Sequence, residues 1–321
     1  MSNILLSEPN MPTTSPHYPV LVSEIIENLK PENNKRYLDC TFGAGGYTQA
    51  ILAASNCFVT AIDQDPNVLK YTTKLQAEYK ERFQFIEGNF ANAKELLKGI
   101  QYDGVVLDLG VSSMQLDEGE RGFSFMRDGN LDMRMNSSGY SAADFIAGAS
   151  EAEIADVIYK YGEEVQSRQI AKMIVEERQK EPIISTLKLA EIVRNSMHYR
   201  KAKIDPATKT FQAIRIYINK ELESLEHFLN NLNDILKPGA RILVVSFHSL
   251  EDSIVKSFFK DHSAKKVARS KYAKEPENND ISKWLKTITK KPILPTNREI
   301  LENHRSRSAR LRVAEKLGGS K

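Results

Sequence analysis

The chain has 321 residues, 41% hydrophobic and 27% charged, enough for one large core or two modest ones at roughly 100–200 residues per domain. No apolar run approaches the roughly 20 residues of a membrane span. Cys40 and Cys57, the only cysteines, lack ligand-like spacing, which argues for a reducing, cytoplasmic setting and against a disulfide framework or a metal site. The net charge of +3 conceals an asymmetry: Lys265 to Lys321 carries sixteen Lys or Arg against six Asp or Glu, a net +10 that leaves −7 for the rest. A basic end on an acidic protein points to a polyanionic partner.

In chain order, the first sixteen residues are polar and proline-bearing, without a basic-then-apolar leader pattern, and are expected to form a disordered tail. The stretch Tyr37-Leu38-Asp39-Cys40-Thr41-Phe42-Gly43-Ala44-Gly45-Gly46-Tyr47 is the most informative: an apolar strand ends in an acid and a glycine-rich turn opens onto a helix. A second strand, Phe58 to Ile62, ends in Asp63, about 17 residues after the last glycine, near the roughly 20 typical of a nucleoside-binding unit. The glycines allow close approach of main chain to a ligand, and Asp63 can accept hydrogen bonds from a ribose diol. The turn reads G-x-G-G rather than G-x-G-x-x-G, and Asp39 puts a carboxylate where a pyrophosphate needs positive potential, so a nicotinamide dinucleotide fits poorly. An acid there suits a ligand with a cationic end, such as the ammonium and sulfonium of S-adenosylmethionine.

A helix over Val68 to Tyr79 follows, then a strand at Phe83-Gln84-Phe85-Ile86, a loop Gly88-Asn89-Phe90, a helix around Lys94–Leu97 and a strand Gly104 to Leu107 leading to Asp108. Each strand is a short continuous apolar run, as in a parallel sheet covered on both faces. From about Asp117 to Asp205 no strong strand occurs; Ser150 to Glu153 forms a capping box, and helices are expected at Val165–Gln179 and Thr186–Met197. Phe211, Ile214, Ile218, Leu222, Leu225, Leu229 and Leu232 then trace one long amphipathic helix, ended by Lys237-Pro238-Gly239 before a fifth buried strand, Arg241 to Ser246. The reading is one nucleotide-binding α/β domain, residues 17–116 and 206–321, interrupted by an all-helical insertion at 117–205. Lys265–Lys291 is charged and Asn-rich and is expected to be a flexible loop. Arg305 to Arg312 alternates cationic with small residues, as an extended strand with one basic face would.

Four loops converge on the ligand edge of such a sheet. Gly43 to Tyr47 would line the amino-acid end of the cofactor, Asp63 the ribose, Asn89 and Phe90 the adenine, and Asp108 with Gln115 the far side. The segment Arg121 to Met135 mixes phenylalanines with arginines. Such a mixture suits unstacked bases, or equally a linker whose rings fill an interdomain seam. In Ser246 to Asp252, His248 and Asp252 invite a charge-relay reading, but nucleophile-elbow glycines are absent.

Taken together, His17 to Leu21, Asp39 to Gly46, Asp63-Gln64-Asp65-Pro66, Leu107 to Ser113, Arg121 to Met135, Thr210 to Ile216, Lys237-Pro238-Gly239, Ser246 to Asp252 and Arg305 to Lys316 resemble the bacterial 16S ribosomal RNA cytosine-N4 methyltransferase family, RsmH or MraW. The resemblance implies an α/β fold, a Rossmann-like S-adenosylmethionine-dependent methyltransferase sheet with an inserted all-helical domain. It also implies methylation of N4 of a cytidine in the decoding centre of the small subunit, position 1402 of the RNA. Gly45, Gly46, Tyr47, Asp63, Phe90, Asp108 and Gln115 look like cofactor contacts, joined by Asp39 and Gly43. The chain departs from the family at Tyr47, where histidine is usual, at Met114 and Asn130, where proline is, and at Asn136, where aspartate is. The D/N/S-P-P-[YF] tetrad of many amino-methyltransferases is replaced by Leu109-Gly110-Val111-Ser112, so Asp108, Ser112 and His248 are the candidates for accepting the amine proton. Phe123, Phe125, Arg134, Arg215, Arg305 and Arg307 are the candidate substrate contacts, with Arg310 and Arg312 on the same basic strand. The expected partner is 16S ribosomal RNA or the small subunit, with no membrane and no metal; a homodimer is left open. A nicotinamide-dependent oxidoreductase and a non-catalytic RNA-binding assembly factor are the competing readings.

Overall fold

The computed structural model describes residues 19–196, 205–263 and 283–318. The expected tail at 1–16, Met197 and most of the expected loop at 265–291 lie outside them. Seven strands, β1 (Arg36–Asp39), β2 (Phe58–Asp63), β3 (Phe83–Glu87), β4 (Tyr102–Asp108), β5 (Leu236–Ser246), β6 (Leu285–Thr287) and β7 (Arg310–Lys316), form one sheet in the order β3-β2-β1-β4-β5-β7-β6. Strands β1 to β5 run parallel, and β7 is antiparallel to both β5 and β6. The chain winds outward from β1 to β3 and then restarts at β4 on the other side. The switch point is therefore the gap between β1 and β4, where a doubly wound Rossmann-like sheet leaves its ligand crevice. Asp39 and Asp108 end the two strands that flank it.

Helices α1 (Val22–Leu29), α2 (Gly46–Ala54), α3 (Leu69–Tyr79), α4 (Ala93–Leu96) and α5 (Ser113–Asp117) accompany the first four strands. The sheet is buried on both faces because its strands alternate between two cores. Tyr37, Val59 and Val106 pack with α1 and α2, whereas Leu38, Val105 and Leu107 face Leu225, Phe228 and Leu232. Helices α6 (Ala142–Gly148), α7 (Glu151–Gly162), α8 (Ser167–Arg178), α9 (Thr186–Ser196) and α10 (Ala207–Asn219) enclose a third core running from Phe123 to Ile216. Ser150 caps α7 through the Glu153 N–H, and the reciprocal box forms one helix earlier, between Ser141 and Asp144. Helices α11 (Glu221–Ile235), α12 (Ser249–His262) and α13 (Asn297–Glu302) return to the sheet.

Three local expectations change. The single long helix from Phe211 to Leu232 is two helices, because Lys220 adopts φ 50° and ends α10 in the left-handed region. Of these two, α10 buries Phe211, Ala213 and Ile214 in the helical core. Lys237-Pro238-Gly239 lies inside β5, where Gly239 takes φ 84° and the pairing with β4 shifts register between Tyr102 and Gly104. The described end of the expected loop holds β6, whose Leu285 is buried against the sheet.

Candidate active site

Asp39, at the end of β1, is 1% exposed and lies one layer below the crevice. Its Oδ1 accepts the Thr41 N–H at 3.1 Å and its Oδ2 the Thr48 hydroxyl at 2.7 Å. Burial pushes its carboxyl up to about 6 against those two hydrogen bonds. The acid read from the sequence as facing a cationic ligand is thus committed to shaping the glycine turn. Within the turn, Gly43 has φ 54° and donates its N–H to Asp63 Oδ2 at 2.7 Å. A Cβ on Gly45 would come within 2.8 Å of Leu75, and one on Gly46 within 2.6 Å of Pro19. Gly45 therefore serves packing behind the crevice, and Gly46 lets Pro19 close one wall. Tyr47 is buried and spends its hydroxyl on the Val20 carbonyl at 2.5 Å.

At the end of β2, Asp63 also accepts the Asp65 N–H on Oδ1 at 2.9 Å. Burial pushes its carboxyl up to about 6, with the Asp65 and Asp39 charges adding to the rise against the two backbone donors. Asp65, to which the sequence alone gave no role, is the hub of a buried clasp. It accepts from Gln115 Nε2 at 2.8 Å and pairs with Arg121 Nη1 at 2.8 Å, while Arg121 Nη2 donates to the carbonyls of Arg134 and Met135, each at 3.0 Å. Gln115 reaches the clasp because Ser112 caps α5 in a reciprocal box. The loop after β3 joins through Asn89, which donates to Gln64 at 3.1 Å, and Phe90 meets Phe228 edge-on with centroids 5.6 Å apart.

Asp108 ends β4. Its backbone N–H donates to the Thr41 hydroxyl at 2.7 Å, but its buried Oδ1 has no donor among the described residues. Burial, and then the charges of Asp39 and Glu251, push its carboxyl well above the ordinary range. Opposite it, Glu251 is 2% exposed and accepts the Phe247 N–H at 2.8 Å. Burial alone would raise this carboxyl, yet His248 and Arg215 outweigh burial and hold it below its ordinary value. His248 caps α12, with Nδ1 accepting from the Glu251 N–H and Nε2 3.1 Å from Glu251 Oε1. Arg215 forks onto Glu221, Nε to Oε1 at 2.8 Å and Nη2 to Oε2 at 3.1 Å. Six residues apart on one straight helix, the two would lie about 120° apart around the axis; the break at Lys220 brings them together.

These groups bound a cavity of about 520 Å³ at the carboxyl ends of β1, β2 and β4. Gly43, Gly46, Tyr47, Asp63, Phe90, Asp108, Ser112 and Gln115 line it, together with Arg215, Arg305 and Arg307. Asp39, Gly45 and His248 stand behind its wall. Three residues expected at the substrate lie elsewhere. Phe123 is 6% exposed in the helical core. Phe125 packs against the same core, edge-on to Phe211. Arg134 forks onto Asp132. Both rings thus pack in or against the helical core and neither lines the cavity. At the mouth, Arg305 pairs with Asp117 at 2.5 Å and Arg307 sits 2.9 Å from His304. Arg312, expected on a basic face, is 7% exposed because β7 is an inner strand, and it pairs with Asp252 at 2.6 Å; Arg310 reaches the same carboxylate at 3.4 Å. Asp252 is therefore a structural counter-ion, not a relay to His248. Among the described residues no cluster of His, Cys, Asp and Glu could hold a metal ion, and no helix is long and apolar enough to cross a membrane.

Compared with known proteins, residues 14–317 match the family model described as the MraW methylase family. Proteins named ribosomal RNA small subunit methyltransferase H are similar to this chain: that of Rickettsia conorii is 58% identical and that of Rickettsia felis 59%, each over 94% of this chain and 98% of the relative. Among solved structures, an rRNA methylase from Streptococcus thermophilus aligns with a TM-score of 0.41 at 9% identity over 92% of this chain and 94% of that one, too distant a likeness to inform the site.

Proposed function

The chain belongs to the MraW methylase family, and on that footing we propose that this methyltransferase uses S-adenosylmethionine to methylate the exocyclic N4 amine of a cytidine in 16S ribosomal RNA, in the decoding centre of the small subunit. The observation that carries the reading is one cavity holding both a ribose-type acid, Asp63, and Asp108, whose buried oxygen has no donor.

The residues fit such a cofactor. Each oxygen of Asp63 accepts one backbone N–H and keeps a lone pair for a ribose hydroxyl. Phe90, held edge-on by Phe228, offers a flat apolar wall to an adenine. When bound, S-adenosylmethionine supplies an electrophilic methyl group on a sulfonium.

This chain's own residues supply the rest. The lone pair of cytosine N4 is conjugated with the ring, so the amine is a poor nucleophile until an acceptor takes one of its hydrogens. Asp108 is that acceptor: it lines the cavity, its buried oxygen has no donor among the described residues, and burial makes its ionised form hold a proton more tightly than an ordinary carboxylate. As the C–N bond forms, the C–S bond of the sulfonium would break with its electron pair left on sulfur, and the amine gives up one proton, which passes to Asp108 and then to solvent. Ser112 and Gln115 are occupied with each other and set the α5 wall; His248 acts through Glu251. Orientation in such a pocket can contribute roughly 7–11 kcal/mol. The base must leave its stack to enter, and Arg305 and Arg307 stand at the rim where flanking phosphates would pass. The helical unit would hold the RNA, and a ribosomal substrate would place the protein in the cytoplasm.

The test incubates purified protein and labelled S-adenosylmethionine with undermodified small-subunit RNA or subunits. N4-methylcytidine in the nucleoside digest is expected, and its absence from every substrate would overturn the reading.

A further inference from the structure

Arg215 stands in the cavity wall with three of its five N–H donors unspent. Glu221 takes the side-on edge, Nε and Nη2, and among the described residues no group accepts from Nη1. The end-on edge, Nη1 with the second hydrogen of Nη2, remains. Nη2 lies 3.8 Å from where a Cβ on Gly110 would sit, two residues along from Asp108. A guanidinium can only donate, and an ionised carboxylate can only accept. The same cavity thus presents a donor edge and the unsatisfied acceptor of Asp108.

Charge limits what can fill that space. Asp108, Glu221 and Glu251 all line it, so a phosphate group brought to Arg215 would meet three carboxylates, whereas a neutral base would not. Among bases, cytosine offers an amine hydrogen followed along the same edge by two acceptors, N3 and O2. Uracil reverses the first two groups, with a carbonyl oxygen toward Asp108 and an N3–H toward the guanidinium. Adenine matches the amine and one acceptor but has a C–H where cytosine has O2.

Resting on the reading of the site as a cytidine methyltransferase, we propose that Arg215 selects cytosine, its end-on edge donating to N3 and O2 while Asp108 takes a hydrogen from the amine. Glu221 is then a positioning residue. It holds the guanidinium by the edge the base does not use, across the break at Lys220. The rim arginines are left for the RNA backbone.

The experiment compares undermodified small subunits reconstituted with RNA that carries cytidine or 3-deazacytidine, in which a C–H replaces N3, at the target position. Arg215→Met should lower kcat/KM on cytidine roughly 10- to 100-fold, the discrimination of a bidentate base contact. Removing N3 alters the intrinsic reactivity of the amine in every enzyme, so the readout is the ratio: the analogue penalty in wild type should exceed that in Arg215→Met by about tenfold or more. Because the single variant strands Glu221, the Arg215→Met/Glu221→Met pair removes both charges. It should bind S-adenosylhomocysteine like wild type and show the same reduced penalty. N4-methylcytidine formed with equal penalties in all three enzymes would overturn the role of Arg215 alone. No N4-methylcytidine from wild type on the cytidine RNA would overturn the functional reading, and this inference with it.

Discussion

Replacing Arg121 with alanine probes the clasp that ties the cofactor edge to the helical unit. The side chains of Arg121 and Asp65 are 14% and 3% exposed, so the pair belongs to the buried regime. There, deleting one partner leaves an uncompensated charge and costs about 3–5 kcal/mol. Asp65 would keep the Gln115 amide and the Asn67 N–H, which places the loss at the lower end, about 3 kcal/mol. The carbonyls of Arg134 and Met135 lose a donor too, and because Met135 is buried this adds to the loss, so about 3 kcal/mol is the least expected. At about 2 °C per kcal/mol for a chain of this size, the melting temperature should fall by about 6 °C or more. Asp65→Asn/Arg121→Met, which removes both charges, should recover much of that. Thermal melts followed by circular dichroism measure both. A loss below about 1 kcal/mol for Arg121→Ala, the range of a surface pair, would refute the argument that the clasp is buried and structural.

Three further outcomes follow from the same geometry. Asp63 and Asp39, each pushed up to about 6, hold protons in the folded chain that the unfolded chain, with carboxyls near about 4, has released. Their contribution to stability should therefore decline as pH rises from about 4 through 6. The ionised Asp63 is the form that accepts ribose hydroxyls, so S-adenosylhomocysteine should bind about tenfold more weakly per pH unit below 6, a dependence lost in Asp63→Asn; flat affinity from pH 5 to 7 would contradict the ribose role. Gly46→Ala drives a Cβ to within 2.6 Å of Pro19 and should weaken S-adenosylhomocysteine binding by about 1–3 kcal/mol, which calorimetry would read; wild-type affinity would show that this wall yields freely. Arg305→Ala or Arg307→Ala should flatten the salt dependence of RNA binding by about one unit of slope, whereas Arg312→Met should lower stability and leave the slope alone; the reverse pattern would put β7, not the rim, against the RNA.

Much of the sheet was legible because its strands are buried on both faces, so each reads as a short apolar run with an acid or a turn directly after it. Asp63 and Asp108 could be placed on the ligand edge for that reason. Asp39 could not be assigned its layer, since only the fold reveals that it is buried behind the cavity wall, with Thr41 and Thr48 each donating to one of its oxygens. The break at Lys220 was hidden because the apolar period of three and four runs through it undisturbed; the left-handed residue leaves no mark in that pattern. Phe123 and Phe125 sit beside arginines whether they stack on bases or fill a seam, and composition does not separate the two. Likewise the alternating charges of Arg305 to Arg312 do not reveal that Asp252, far upstream, neutralises the last two arginines of the run. Asp65 was missed for want of a local signal, although a Gln at the third position of a capping box after Ser112 marks α5 as a reader of nearby side chains.

The most direct measurement is calorimetric titration of S-adenosylhomocysteine into the wild-type protein and Asp63→Asn at neutral pH. The account predicts saturable one-to-one binding to the wild type and a marked loss of affinity in the variant. No heat of binding to the folded wild-type protein, or equal affinity in both, would contradict it.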